Sequence, residues 1–367
     1  MKIIYLSELR LPTKNAHGFQ IMNMCSAFAG QEAEILLLVP RRHNLLQVEP
    51  FDFYKLPRNF RVKKLPAIDL YPMRFIPEKI SGLLLRFSFL LLARFYLLFV
   101  PHDVLYTRES FVGLLFKNFC LEVHMPEQKK RWGFRPKKYI VLNNYIKEVL
   151  VSSGAKGDSI LVAPDAVDLS AFPVRSKEEA RRHLGWNDQK RPIVLYCGNF
   201  KAWKGIDTVA GAVKLLPEAL IVMIGATKEM DLNRIQATVV SQTNVLVEGF
   251  KPHEDIPWYL SAADVLLLPN TANDDNSKFY TSPLKLFEYM ATGRPVVASN
   301  LPSLREILNE SNCVFFEPDN SGSLVLAIKK LLNDENLAKT IGDQALVDVQ
   351  KYTWINRAKS ILNFIGQ

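Results

Sequence analysis

Cysteine is scarce in this 367-residue chain: Cys25, Cys120, Cys197 and Cys313 stand far apart and none belongs to a CxxC pair. That excludes a disulfide-stapled scaffold and a thiolate metal site, and fits buried, reduced thiols in a cytosolic protein. Six histidines show no metal-ligand spacing with cysteine or carboxylate. Asp274-Asp275 lacks a third spaced ligand and reads as a solvated loop, so no metal site is expected. There is no repeat of fixed period, no low-complexity tract and no readable Ser–His–Asp arrangement. The opening stretch MKIIYLSELR is too short and too soon interrupted for a signal peptide. A long apolar run does occur, ISGLLLRFSFLLLARFYLLFV over 80–100. Arg86 and Arg94 interrupt it and would be costly at mid-bilayer. An amphipathic helix lying on a membrane, or packed within its domain, fits better than a span.

What is present is the composition of an ordinary globular protein, 48% hydrophobic and 23% charged, at a length that suggests two domains. The net charge of +9 is lopsided: 24 Lys+Arg face 15 Asp+Glu up to position 170, and 22 face 22 beyond it. An anionic partner for the first half is implied, and in the absence of a nucleic-acid motif a membrane surface is favoured over RNA or DNA. Apolar strand-like runs fall at 2–7, 34–40, 103–108, 118–124, 139–143 and 160–164, with helical stretches between several of them. After a charged segment over 168–192, read as the domain boundary, the alternation restarts. Strands are expected at 193–198, 220–225, 245–249, 264–269, 295–299 and 313–317. Such runs predict two doubly wound α/β domains with parallel sheets. The loops 15–18, 124–127, 198–205 and 270–282 then lie beyond the carboxyl ends of strands, where ligands bind in these folds.

Within SPLKLFEYMATGRP, Ser282 suits an N-cap, Pro283 the first helical position and Gly293 a left-handed C-cap, leaving about ten helical residues. Leu284, Phe287, Met290 and Ala291 form an apolar stripe, and Lys285 and Glu288 share an adjacent polar face. A lysine in the first turn opposes the helix dipole unless an anion is there. The residues alone allow a phosphate-and-diol site or a surface ion pair. The loop GNFKAWKG over 198–205 has the parts of a phosphate cradle, a helix start and two lysines, without a Walker A or GxGxxG spacing; a solvated loop is the alternative. His124 ends a strand on the same side; by position alone a lone histidine is more often structural.

Taken together these stretches resemble a GT-B-fold, retaining family 4 glycosyltransferase, here with an SPLK…E variant of the signature helix. MKIIYLS with the Gly18 loop, LEVHMPE, LVAPDAVDLSAF, YCGNFKAWKGIDTV, VEGFKPHEDIPWYLSAADVLLLPN, SPLKLFEYMATGRPVVAS and YTWINRAKSIL match the family's landmarks in order. The resemblance implies two Rossmann-like domains facing across a cleft: 1–170, basic and acceptor-binding; 171–350, donor-binding; and 351–367, a helix returning to the first domain. It implies transfer of a hexose from a UDP- or GDP-linked sugar to a glycan or polyprenyl-linked acceptor, in bacterial surface-polysaccharide assembly, at the cytoplasmic face of the plasma membrane. By position, Lys204 would neutralise the diphosphate and Glu288 would bind the ribose hydroxyls. The amides near Leu284 and Lys285, after Ser282, would meet the phosphates, Gly18 would lie close to them, and His124 would stand beside the transferred sugar.

Three departures accompany the match. Tyr280 replaces the family's first glutamate, Asn199 replaces an arginine that partners the lysine, and Asp165-Ala166 replaces an Asn-Gly. The implied chemistry is domain closure around the donor, stabilisation of the leaving diphosphate, and front-face attack in which that phosphate takes the proton; no cofactor and no metal are implied. Two alternatives follow from the departures and the fold: a catalytically silent nucleotide-sugar-binding subunit of a membrane assembly complex, and a nucleotide-sugar epimerase.

Overall fold

Runs such as IIYL, ILLLV and VLLL are apolar at every position, so they are satisfied only where both faces of a strand are covered. The computed structural model describes residues 1–73, 75–126 and 136–367 and buries these runs completely. The chain divides into two compact units, Met1–Pro164 with Trp354–Gln367, and Asp165–Thr353. Each is a Rossmann-like, doubly wound parallel sheet.

In the first unit the strands are β1 (Lys2–Leu6), β2 (Glu34–Pro40), β3 (Arg61–Leu65), β4 (Val104–Thr107), β5 (Cys120–Val123), β6 (Lys138–Val141) and β7 (Ile160–Val162). They pair in the order β3-β2-β1-β4-β5-β6-β7, all parallel. The chain winds outward from β1 in one direction and from β4 in the other, so the switch point lies between these two, with Ile3 opposite Val104. The C-terminal helix Trp354–Ile365 belongs to this unit and packs on helix Ala16–Ala29.

In the second unit β8 (Ile193–Cys197), β9 (Leu220–Ala226), β10 (Val245–Gly249), β11 (Val265–Leu268), β12 (Val296–Ser299) and β13 (Val314–Phe316) pair in the order β10-β9-β8-β11-β12-β13. Its switch point lies between β8 and β11. Two buried clusters, one on each face of the sheet, form its core, and helix Leu284–Ala291 contributes Leu286, Phe287, Tyr289, Met290 and Ala291 to one of them.

The expected strands appear with ends displaced by two residues or fewer. Two elements differ from expectation. β3, RVKKL, is an edge strand whose charged side chains face water, so it carries no apolar run. The charged segment around 177–183 forms a helix, Lys177–His183, inside the second unit. Lys177 and Arg181 pair with Asp264 at 2.7 and 2.6 Å, and His183 stacks on Trp258 at 3.9 Å, which fixes it there. All four cysteines are buried and free. Glu127, the end of the loop 124–127, lies outside the described residues.

Candidate functional site

In the second unit the loop after β8 and the start of helix Leu284–Ala291 meet at the carboxyl edge of the sheet. Tyr289 holds them together: its hydroxyl accepts from Cys197 N–H at 2.9 Å and donates to Cys197 O at 3.1 Å. Lys285 is thereby carried under Gly198. A Cβ at Gly198 would come within 2.9 Å of the Lys285 Nζ, and φ there is +148°. Gly205, which closes the loop at φ +71°, admits no side chain either, because its Cβ would lie 1.6 Å from Pro269 O.

Lys285 is 9% exposed, and its ammonium stands 4.0 Å over the Tyr196 ring with no hydrogen-bond partner. Burial pulls its pKa down from 10.5 to about 8, against the pull of Cys197 and Glu288. Lys204 is half-buried, with Nζ 3.7 Å over the Trp203 ring. Burial, then repulsion from Lys285 and Lys201, hold it well below the usual lysine range, with Asp274 opposing. A lysine whose charge is opposed by burial and by neighbouring cations is relieved by an anion, and phosphate oxygens suit it. One turn along the helix, Glu288 lies 3.2 Å from His253 through Oε1, with 16% of its side chain exposed.

The helix departs from expectation at its start. It spans Leu284–Ala291, eight residues, and Pro283 rather than Ser282 is the N-cap. The Ser282 hydroxyl accepts instead from Asp165 N–H at 3.1 Å, tying the segment to the beginning of the unit. Lys285 is buried rather than on an exposed polar face: within the helix only Leu284 and Glu288 are half-exposed. Gly293 does take the left-handed conformation, φ +67°. Asn199 donates to Thr227 Oγ1 at 2.7 Å and keeps a buried Oδ1 without a partner. Tyr280 is half-buried at the end of the π-helical turn Asn276–Tyr280. Lys204, Lys285, Glu288, Asn199, Ser282, Leu284 and Tyr280 therefore all belong to one unit, and Gly18 and His124 to the other.

In the first unit His124 follows β5 and is anchored by a buried network. Its Nε2 lies 2.7 Å from Glu122 Oε1, which also accepts from Gln20 Nε2 at 3.1 Å and from Arg357 Nη2 at 3.0 Å. Tyr106 donates to the other Glu122 oxygen, and Arg108 to Gln20 Oε1. Burial would raise the Glu122 carboxyl, but Arg357 foremost, then His124, hold it well below the usual range. Burial and then Arg108 lower His124 to about 4 despite Glu122, so the ring is neutral at pH 7. With Nε2–H donated to Glu122, Nδ1 keeps its lone pair and can accept a hydrogen bond from a hydroxyl. Gly18 has a local reason: its Cβ would fall 2.4 Å from Tyr54 Oη and 2.5 Å from Thr13 Cγ2.

Residue types and spacing did not single out Glu122, Arg357, Tyr196, His253 or Tyr289. Glu122 leaves a faint trace, a lone carboxylate in the apolar strand CLEV; the others are legible only once the elements pack. Among the described residues no group of three or more His, Cys, Asp or Glu is placed to hold a metal.

Residues 176–347 match the family model described as Glycosyl transferases group 1. An uncharacterized glycosyltransferase of Methanocaldococcus jannaschii is 28% identical over 189 residues, 50% of this chain and 46% of that protein. The chain spans about half the length of the first curated relatives it matches; shorter stretches match glycosyltransferases named for teichuronic acid and amylovoran biosynthesis. Sucrose-phosphate synthase from Thermosynechococcus elongatus superimposes with a TM-score of 0.81 at 20% identity, covering 99% of this chain and 97% of that one. Anabaena HepE in complex with UDP-glucose does so at 0.75 and 15%, covering 100% and 99%. The fold of the whole chain is GT-B.

Proposed function

We propose that this GT-B chain is a retaining, family 4-type glycosyltransferase that moves a hexose from a UDP- or GDP-linked sugar to a glycan or lipid-linked glycan acceptor in bacterial surface-polysaccharide assembly. The observation that carries the reading is the buried, unpartnered ammonium of Lys285 beside Lys204. A diphosphate satisfies both. Leu286 N–H is bonded to Pro283 O, so Leu284 and Lys285 supply the amides at the helix start for phosphate oxygens. Glu288, steadied by His253, accepts from the ribose hydroxyls. As the bond from the sugar's anomeric carbon to phosphate breaks, negative charge grows on the diphosphate, and the two lysines stabilise it. The acceptor hydroxyl attacks from the same face and its proton passes to the leaving phosphate. His124, neutral and oriented by Glu122, accepts from a sugar hydroxyl and positions the hexose.

The test is nucleotide release from a panel of UDP- and GDP-sugars with acceptor present and EDTA throughout. Release with one donor class is expected. Glu288→Ala should lower kcat/KM by about 10- to 100-fold, the worth of a charge-assisted hydrogen bond. Full activity in Glu288→Ala and Lys204→Ala would contradict the assignment. Nucleotide binding without turnover would favour the silent-subunit reading.

The partner surface follows from helix Glu78–Tyr96 and the segment after it. One face buries Ser81, Gly82, Leu85, Phe89, Leu90 and Ala93. The opposite face repeats at four-residue spacing with Leu83 59%, Phe87 63%, Leu91 52%, Phe95 62% and Phe99 73% exposed. Arg86 turns aside to Glu8 at 2.7 Å, while Lys79, Arg94 and Lys117 stay exposed around the stripe. Among the described residues no helix is long and apolar enough to cross a membrane. We assign the stripe to an anionic bilayer surface, the cytoplasmic leaflet where lipid-linked acceptors are presented.

A further inference from the structure

The first unit holds a cavity of about 380 Å³ at the carboxyl ends of β1 and β4, its topological switch point. Three guanidiniums line it, Arg10, Arg42 and Arg108, together with Glu8 and Glu109. The carboxylates are largely accounted for by other groups. Arg86 binds Glu8 through two hydrogen bonds, at 2.7 and 2.9 Å. Glu109 accepts from Ser7 Oγ at 3.2 Å, and burial, reinforced by Glu8, raises its carboxyl to about 7, so near neutrality much of it is uncharged. Positive charge therefore dominates the cavity.

Arg42 is the informative side chain. Its Nε is buried without a hydrogen-bond partner, Asp69 stands 3.7 Å away, and the guanidinium lies 4.8 Å over the Tyr71 ring. Burial foremost, then the charge of Arg10, lower its pKa, with Asp69, Tyr71 and Glu8 opposing. Two guanidinium forks lining one polar cavity match a planar carboxylate or a phosphate, which would take both.

We propose that this cavity is a subsite for an anionic group on the acceptor glycan, a sugar carboxylate or a sugar phosphate held by Arg10 and Arg42. The assignment rests on the transferase reading and narrows its acceptor to an acidic one. Loops after β1, β2 and β4 each supply one arginine, so the site is built by the fold rather than by one exposed segment.

The experiment is titration of the full chain with D-glucuronate, D-glucose 6-phosphate and D-glucose, followed by saturation-transfer NMR, with UDP titrated separately. One acid should bind about 10-fold or more tighter than glucose, and which one it is distinguishes carboxylate from phosphate. Arg10→Gln, at an exposed position, and Arg42→Gln should each erase that preference and leave UDP affinity unchanged; Arg42→Lys, which keeps charge without the fork, should retain part of it. Equal binding of all three sugars would overturn the proposal, as would loss of UDP affinity in the arginine variants, which would assign the guanidiniums to the nucleotide. The acid titrations need no donor, so a wild type that fails to bind UDP counts against the donor reading and leaves the subsite to be decided by its own arm.

Discussion

Lys285 shows why one residue can work against stability and for binding. A drop from 10.5 to about 8 corresponds to a cost of about 3 kcal/mol for keeping the ammonium charged in the folded chain. The sign is that of a cation with a depressed pKa. Below pH 8 both folded and unfolded chains hold the proton and the cost is present in full. Between about 8 and 10.5 the unfolded chain holds a proton that the folded one has released, so stability rises with pH across that interval. Lys285→Met, close in volume and without charge, should therefore raise Tm at pH 7 and flatten the rise, while weakening nucleotide binding. A methionine variant less stable than the wild type at pH 7 would show that the lysine's charge is satisfied within the folded chain. The same residue marks how far residue-level reading reached. A lysine misplaced against the helix dipole was legible as an anion signal, but its burial under Gly198 and over Tyr196 was not, since both partners come from a strand and its following loop nearly 90 positions earlier.

Elements were legible in proportion to how apolar they are. Strands such as LIVMIGA or IVLYC announce themselves because both faces are covered. β3 was invisible because an edge strand with three cations looks like a loop, and helix Lys177–His183 because its partners, Asp264 and Trp258, lie some 80 residues away. Ser282 misled for a related reason: its cap-like sequence context is real, but a distant amide, Asp165 N–H, takes the hydroxyl. Helix Glu78–Tyr96 was readable as amphipathic and interfacial or packed; it packs on one face and exposes an apolar stripe on the other. At this scale the expected result is co-sedimentation with vesicles containing phosphatidylglycerol, weak or absent with phosphatidylcholine alone, and declining with added salt. Phe87→Asp with Phe95→Asp should abolish it without lowering Tm, since both rings are already in water. Binding indifferent to lipid charge, salt and both substitutions would show that the stripe does not meet an anionic membrane.

At the scale of the molecule, the doubling of a parallel α/β pattern was visible in the order of strands, because each unit restarts the same alternation. The edge where the candidate residues gather followed from that pattern, since ligand loops lie beyond the strand ends in such folds. The supporting contacts did not: the Arg357–Glu122 pair joins the last helix to β5 across 235 positions, and no local spacing encodes it. On the proposed reading, Lys285, buried, and Lys204, half-buried, hold a nucleoside diphosphate in the second unit. Isothermal titration of UDP and GDP into the wild type, Lys204→Ala and Lys285→Met, repeated at pH 7 and pH 9, addresses it directly. One nucleotide should bind the wild type, with proton uptake at pH 9 as Lys285 recharges, and each variant should lose about 10-fold or more in affinity. Binding unchanged in both variants, or no binding of either nucleotide, would contradict it.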